Sequence, residues 1–435
     1  MSDETLKVGD TIEVTTEGIA YGGDAVARHE GAVIFIPYAA ADERLVIQIT
    51  EQKKNFFRGS IIRVLEPSDA RRDPPCEYFG RCGGCQLQHL DYAAQLSAKE
   101  GFIRDALERI GRIEWQPQIK VQPSPELGYR TRARLTLEKV AQVGDASNQA
   151  SISIGFNEAR SKSICDVSFC PVLSDGLNKA LSDLREKLGG TWPFTGRAHE
   201  IEAAAGDSGY AIQPPIPGLS SGKLNCNVGD ATYVFEPSIF FQSNRELLRD
   251  LVEAVIADQK GGLAIDLYSG VGLFSIALAR RFERVVAVES ESSAVKAAIE
   301  NIAINRIENV RVIKASVEEW VKNFVRRLKE RTAEAPGLIV LDPPRKGASA
   351  AIKDVARMKS AKIVYVSCDP TTLARDLRTL VDCGYVLDDI GAFDLFPQTY
   401  HVETVVKLSR AAEQGSHSPS RREKVNGTKT GRTGA

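Results

Sequence analysis

The chain has 435 residues, 43% hydrophobic and 26% charged, with a formal net charge of −1. That length suffices for two to four domains, each with its own core, and the composition is that of a globular protein. Balanced charge excludes nucleic-acid binding through a global excess of cations, so any such binding needs a local basic face. The first residues, Met1-Ser2-Asp3-Glu4-Thr5-Leu6-Lys7, carry no apolar leader and no later run is long enough to span a bilayer, so a cytoplasmic protein without a membrane partner is expected. In a reducing cytoplasm the eight cysteines point to metal or catalytic chemistry more than to disulfides.

Residues 1–66 alternate apolar and polar side chains in short runs starting at Thr11, Ala32, Arg44 and Arg58, with turns at Tyr21-Gly22-Gly23-Asp24 and His29-Glu30-Gly31. Several strands in so short a segment predict a small closed barrel. The layout Gly9-Asp10 followed by Gly18-Ile19-Ala20-Tyr21-Gly22-Gly23 resembles a TRAM domain, an OB-like RNA-binding barrel.

Residues 67–235 form a second region. After a linker rich in Arg, Asp and Pro comes Cys76-x5-Cys82-x2-Cys85, whose two glycines let the backbone aim two thiolates at one centre. Three ligands leave such a site one short, and Cys165 or Cys170 can complete it; the spacing suits zinc or an iron–sulfur cluster equally. A helix is predicted over 92–110. Then Arg130, Arg132 and Arg134 alternate with Thr131, Ala133 and Leu135, which on a strand places three arginines on one face. Such a face repels itself unless it is solvated or meets an anion such as a phosphate backbone. The stretches Gly144 to Ala150 and Ala205 to Gly222 read as loop excursions.

Between 236 and 410 strand and helix alternate regularly, which predicts a doubly wound parallel sheet. Two final strands without an intervening helix make a closing hairpin, the mark of a class I methyltransferase, Rossmann-like with seven strands. Residues 411–435, polar and basic, read as a disordered tail. Asp266-Leu-Tyr-Ser-Gly270-Val-Gly272 sits at the first strand–helix turn, where a dinucleotide site would need Gly and not Ser at 275. Glu289 and Asp342-Pro343-Pro344-Arg345 end two further strands, and ligands bind at such ends. The run Ile363 to Ser367 then hands over through Cys368 to a helix with Asp369 as N-cap and Pro370 in its first turn. The helix dipole there favours a thiolate at Cys368 while the Asp369 charge opposes it.

Together Phe240-x-Gln242-x-Asn244, the Asp266 to Gly272 loop, Asp342-Pro343-Pro344-Arg345, Ser367-Cys368-Asp369-Pro370 and the Phe393 to Glu403 segment resemble the RNA uracil-5-methyltransferase family. With the barrel and the cysteine motif, the resemblance is to the branch acting on 23S rRNA. It spans about residues 5–410. The resemblance implies an S-adenosyl-L-methionine-dependent monomer that acts on RNA and carries a [4Fe–4S] cluster on Cys76, Cys82, Cys85 and Cys170, with Cys165 a bystander. It further implies cofactor contacts at Gln242, Tyr268, Glu289 and Asp342, a nucleophile at Cys368 and a general base at Glu403. Leu273 departs from the Asn that some members carry there. Rival readings are a tRNA enzyme of the same family and a non-catalytic iron–sulfur RNA-binding protein. A cytosine-C5 enzyme would need a cysteine where Arg345 stands, and an amino-group methyltransferase would use an aromatic there and no thiol.

Overall fold

The computed structural model describes residues 6–140, 151–189, 192–257 and 259–411. The expected excursion at 144–150 and the expected disordered tail, Ala411 excepted, lie outside the described residues.

Strands β1 (Thr11–Ile19), β2 (Ala25–His29), β3 (Ala32–Ile36), β4 (Arg44–Gln52) and β5 (Phe57–Glu66) close into a barrel in the order β1-β2-β3-β5-β4. Val14, Ala27, Ile34, Ile36, Leu45 and Ile47 alternate inward and fill it. The four apolar runs of the sequence are all strands, and Ala25–His29, too Ala-rich to stand out, is a fifth.

Helix α1 (Tyr92–Ala106) begins under Asp91, whose carboxylate accepts from the Ala94 N–H. It continues not as α-helix to Ile110 but as a π-helical turn, Leu107–Gly111, followed by the short strand β6 (Val121–Gln122). Strands β7 (Arg132–Val140), β8 (Ser151–Asn157), β9 (Ile164–Asp166), β10 (Ala198–Gly206) and β11 (Gly209–Gln213) form a sheet ordered β11-β10-β7-β8-β9, with α2 (Asp175–Leu188) packed against it. The expected loop from Ala205 thus contains a hairpin, because Gly206 and Gly209 frame a tight turn between paired strands.

The arginine triplet starts ahead of its strand. Arg130 lies ahead of β7, its backbone drawn into bridges with Leu173 and Asn244. The Arg132 guanidinium donates to the carbonyls of Pro237 (2.8 Å) and Ile239, and Arg134 pairs with Glu202 at 2.7 Å. Thr131, Ala133 and Leu135 are buried, so the alternation holds, and Arg130 and Arg134 line one cavity while carbonyls take up Arg132.

Hairpin β12 (Leu224–Val228) and β13 (Ala231–Phe235) leads to α3 (Leu248–Ile256) and then to the large sheet. Its elements are β14 (Gly261–Leu267), α4 (Leu273–Ala279), β15 (Phe282–Glu289), α5 (Ser292–Ile304), β16 (Val310–Lys314), α6 (Val317–Lys329), β17 (Leu338–Leu341), α7 (Ile352–Arg357), β18 (Lys362–Ser367), α8 (Pro370–Asp382), β19 (Tyr385–Phe393) and β20 (Glu403–Arg410). The order is β16-β15-β14-β17-β18-β20-β19-β6, with β14 to β18 parallel and β20 antiparallel between β18 and β19. The seven expected strands are present, but the sheet has eight. The eighth, β6, comes from far upstream and pairs with β19 through Val121 and Gln122.

A buried ion pair fastens α1 to the β19–β20 connection. Lys99 and Asp394 both have wholly buried side chains, and Lys99 Nζ also donates to the Phe396 carbonyl at 3.0 Å. Burial pushes the lysine down and the aspartate up, and each is the chief partner that offsets this for the other. Lys99→Met alone is expected to cost about 3–5 kcal/mol in denaturant unfolding, whereas Lys99→Met combined with Asp394→Leu recovers most of that loss. Equal stability of the single and double variants would contradict this.

Candidate active site

The carboxyl ends of β14, β15, β17 and β18 converge in one crevice. Buried Asp266 accepts the Ser275 hydroxyl on one oxygen, while its Oδ1 has no partner. Burial pushes this carboxyl up to about 7. Tyr268 follows with a backbone φ of +64°, and both its hydroxyl and the Ser269 Oγ are buried without partners. Gly272 caps α4 at φ +90°, a left-handed conformation that glycine adopts freely. Glu289 grips the loop from the neighbouring strand: its carboxylate accepts from the N–H groups of Gly270 (3.0 Å), Ser290 (2.6 Å) and Glu291 (2.8 Å). Orphaned polar atoms beside a glycine-shaped turn suit a polar ligand such as an adenosyl group. Gln242 is buried nearby in sequence to Asn244, whose amide donates to Ser124 Oγ at 2.8 Å. Asn244 thus ties the segment down.

The end of β18 carries the thiol. Antiparallel pairing sets Ser367 opposite Thr404, so one step further along the same register places Cys368 opposite Glu403. Asp369 caps α8, its Oδ1 accepting from the N–H groups of Thr371 (2.9 Å) and Thr372 (3.0 Å). The N-cap and the Pro370 start stand as the sequence predicts. The competition at the thiol goes against the dipole: burial first, then the Glu403 charge, push Cys368 up to about 12, and Arg345 only partly opposes them. Glu403 is 3% exposed, and burial reinforced by Asp342 holds its carboxyl well above the usual range. Asp342 is itself raised to about 7, by burial and then by Asp266. Asp342 thus adds to burial in opposing ionisation of Glu403, as Asp266 does for Asp342. Arg345 Nη2 lies 3.2 Å from His401 Nε2, and because a guanidinium only donates, Nε2 accepts. Burial and Arg345 hold His401 down at about 4, so it is neutral.

Residues 221–411 match the family model described as tRNA (Uracil-5-)-methyltransferase, and residues 5–62 match the TRAM domain. The chain is 31% identical over 433 residues to the 23S rRNA (uracil(1939)-C(5))-methyltransferase RlmD of Vibrio parahaemolyticus, covering 92% of this chain and 96% of that protein. The chain belongs to the RNA uracil-5-methyltransferase family. An uncharacterized RNA methyltransferase of Aquifex aeolicus is 32% identical, with 94% and 99% of the two chains covered. The crystal structure of the Pyrococcus abyssi tRNA (uracil-54, C5)-methyltransferase in complex with S-adenosyl-L-homocysteine superposes with a TM-score of 0.69 at 26% identity, covering 91% of this chain and 99% of that one. The protein is accordingly an enzyme of the S-adenosylmethionine-dependent methyltransferase fold with an N-terminal TRAM barrel.

Five of the remaining cysteines, Cys76, Cys82, Cys85, Cys165 and Cys170, lie around the five-stranded sheet. Burial first pushes Cys82 up to about 11 and Cys85 to about 12 and also raises Cys76; Cys170 lies near enough to add to all three, and Cys165 adds to Cys82. The Cys170 backbone is clamped by the Asn178 amide, which accepts from its N–H and donates to its carbonyl, both at 3.0 Å. Cys165 is buried in the sheet core, where Arg81 Nε meets its sulfur at 3.3 Å. Among the described residues no three His, Cys, Asp or Glu side chains are close enough to hold a single metal ion.

Sequence reasoning passed over several residues of the site. The Phe393 to Glu403 segment was legible as a motif, but not its anchoring by Gln398, whose carbonyl accepts from both Gln86 and Leu87 at 3.0 Å. Tyr21 was legible only as part of a barrel turn, with nothing to link it to the catalytic loop. The charge arrangement yields a direct expectation. A carboxylate facing Cys368 raises its thiol, so Glu403→Gln removes that charge, lowers the thiol pKa and increases the thiolate fraction. Iodoacetamide alkylation of Cys368 at alkaline pH, read by peptide mass spectrometry, is expected to be faster in Glu403→Gln than in the wild type. An unchanged rate would separate the two groups.

Proposed function

We propose that this enzyme methylates C5 of a specific uridine in RNA, with 23S rRNA as substrate, through a covalent adduct between Cys368 and uracil C6. The observation that carries the reading is the β18–β20 register, which sets a strand-end thiol opposite a buried carboxyl over the cofactor crevice. S-adenosylmethionine supplies an electrophilic methyl group, and Gln242, Tyr268, Glu289 and Asp342 are its proposed contacts. Uracil C5 is a weak nucleophile. Addition of the Cys368 thiolate at C6 breaks the C5–C6 double bond and leaves an enolate whose C5 would take the methyl group from the donor sulfonium, the neutral thioether S-adenosyl-L-homocysteine leaving with the sulfur–methyl bond pair. Glu403 then accepts the C5 proton, the electron pair reforms the double bond, and the C6–S bond breaks to release Cys368 as thiolate. A thiol held near 12 keeps Cys368 protonated until a cationic donor offsets the surrounding carboxylates, which limits stray reaction. The base must leave its stack to reach this crevice, and Phe240, 68% exposed with the Arg132 guanidinium over its ring at 5.8 Å, is placed to receive it.

The proposed domains are 1–66 as RNA-binding barrel, 67–235 as cluster and RNA-binding region, and 236–410 as catalytic domain, working as a cytoplasmic monomer. The support for 23S rRNA is the Vibrio parahaemolyticus relative; the Pyrococcus abyssi neighbour, at lower identity, makes tRNA the second reading. Labelled methyl transfer to total RNA from a strain lacking this gene, followed by separation of 23S rRNA from tRNA, decides between them. Among the described residues no helix is long and apolar enough to cross a membrane.

The two reacting residues fail at different steps. Cys368→Ala is expected to bind donor and RNA but form no adduct and no product. Glu403→Gln is expected to add its thiol and take the methyl group, then stall as an adduct that survives denaturing electrophoresis. RNA carrying 5-fluorouridine traps the wild type likewise, because fluorine cannot leave as a proton does. Methylation by Cys368→Ala would remove the nucleophile assignment.

We also propose a [4Fe–4S] cluster on Cys76, Cys82, Cys85 and Cys170. An all-thiol set with no carboxylate or imidazole among it suits iron–sulfur ligation, which spreads its ligands over several irons and tolerates a wider ring than one ion does. Anaerobic preparation is expected to give about four irons per chain, lost in Cys170→Ser and kept in Cys165→Ser. Stoichiometric zinc without iron would contradict the cluster.

A further inference from the structure

The barrel does more than lie beside the catalytic sheet. Its β1–β2 turn, Tyr21-Gly22-Gly23-Asp24, reaches the loop that carries Cys368. The Tyr21 hydroxyl donates to Asp369 Oδ2 at 3.3 Å, and its ring packs edge-on against Tyr400 (centroids 5.2 Å) and Phe102 (5.8 Å). Tyr21 and Tyr400 also wall a cavity of about 1070 Å³ that Phe56, Arg58, Arg130 and Arg160 line. We infer that Tyr21 is a positioning residue for methyl transfer, through which the barrel holds the Cys368 loop in its reactive geometry. This rests on the reading of Cys368 as the attacking thiol.

The geometry leaves Cys368 little freedom of its own. Its two neighbours are tied to each other, since Ser367 Oγ donates to the Asp369 carbonyl at 3.1 Å and accepts from the Asp369 N–H at 3.2 Å. Asp369 is fixed in turn on two sides. Oδ1 caps α8, and Oδ2 is the oxygen that Tyr21 holds. Tyr21 therefore sets the rotation of the carboxylate next to the thiol and withdraws part of its charge from it. The turn itself is anchored so that it can do this. Asp24 is bound by Arg58 and by Arg160, the latter at 2.8 Å. Gly23, at φ +91°, lies so close to the cysteine loop that a Cβ there would fall 2.8 Å from Gln86 Cβ. Neither Tyr400 nor Phe102 offers the aspartate a hydrogen bond of this kind, so the phenol carries the link.

The test uses the full-length enzyme and total RNA from a strain lacking the gene. Tyr21→Phe keeps the ring and removes the hydroxyl, so kcat is expected to fall roughly three- to tenfold, the size of one lost hydrogen bond, with KM for RNA unchanged. Tyr21→Ala also removes the edge contacts and is expected to lower kcat further and raise KM. A double-mutant cycle with Asp369→Asn is expected to be non-additive, because both variants break one link. Wild-type kcat in Tyr21→Phe, a loss confined to KM in both variants, or additivity in the cycle would overturn the inference. Cys368→Ala, assayed in parallel, separates the two readings. Its retained activity counts against the thiol as nucleophile, whereas kcat and the cycle judge Tyr21 whichever group attacks.

Discussion

The antiparallel return of β20 between β18 and β19 is the constraint on which the site depends. Parallel strands alone deliver Asp266, Glu289, Asp342 and Cys368 to one edge of the sheet, each from the end of its own strand. A residue at the start of a strand meets that edge only if its strand runs the other way. β20 does so, and its register brings Glu403 to Cys368. Because side chains alternate with a period of two, a slip by one residue would turn Glu403 to the other face of the sheet. The flanking Val405, Val406 and Leu408 are buried on alternate sides, so both faces of β20 are packed beyond Glu403.

Around that register the buried charges oppose or offset one another. Lys99 pairs with Asp394 behind the β19–β20 connection, Arg345 leans on a neutral His401, and Asp342 adds to burial in holding the Glu403 carboxyl up. Gly347 illustrates the tightness of the fit. At φ +73°, a Cβ there would stand 2.6 Å from Arg375 Nη2 and 2.7 Å from Asp376 Oδ2, the groups that fix the loop after Arg345. A cation entering the crevice would offset the carboxyls that raise Cys368, and a sulfonium is such a cation.

What the sequence disclosed was local. Alternating strand and helix patterns revealed the parallel sheet, and Asp369-Pro370 marked the start of α8, because caps and periodicities are properties of a few consecutive residues. What it concealed was relational. Arg130, Arg132 and Arg134 read as one cationic face, but carbonyls at Pro237 and Ile239 and a carboxylate on β10 absorb two of them. The Cys368 environment could be balanced only once Glu403 and Asp342, carried by other strands, were placed beside it. Two-residue β6 gave no periodic signal, and neither did the single tyrosine that joins barrel to active site.

The strand β6 bears on how the molecule is made. Val121 and Gln122 cover the outer edge of β19, which otherwise presents open backbone donors and acceptors to any passing strand. They are synthesised long before β19 exists. Val121 also packs, with Ile103, Leu107 and Ile119 of the same upstream stretch, in the core of the large sheet, so this segment has no complete core until the later strands exist. The strand pairing that seals the edge and the one that faces Cys368 both need β19 and β20. A nascent chain stopped short of them has neither a finished sheet nor a facing pair of thiol and carboxyl.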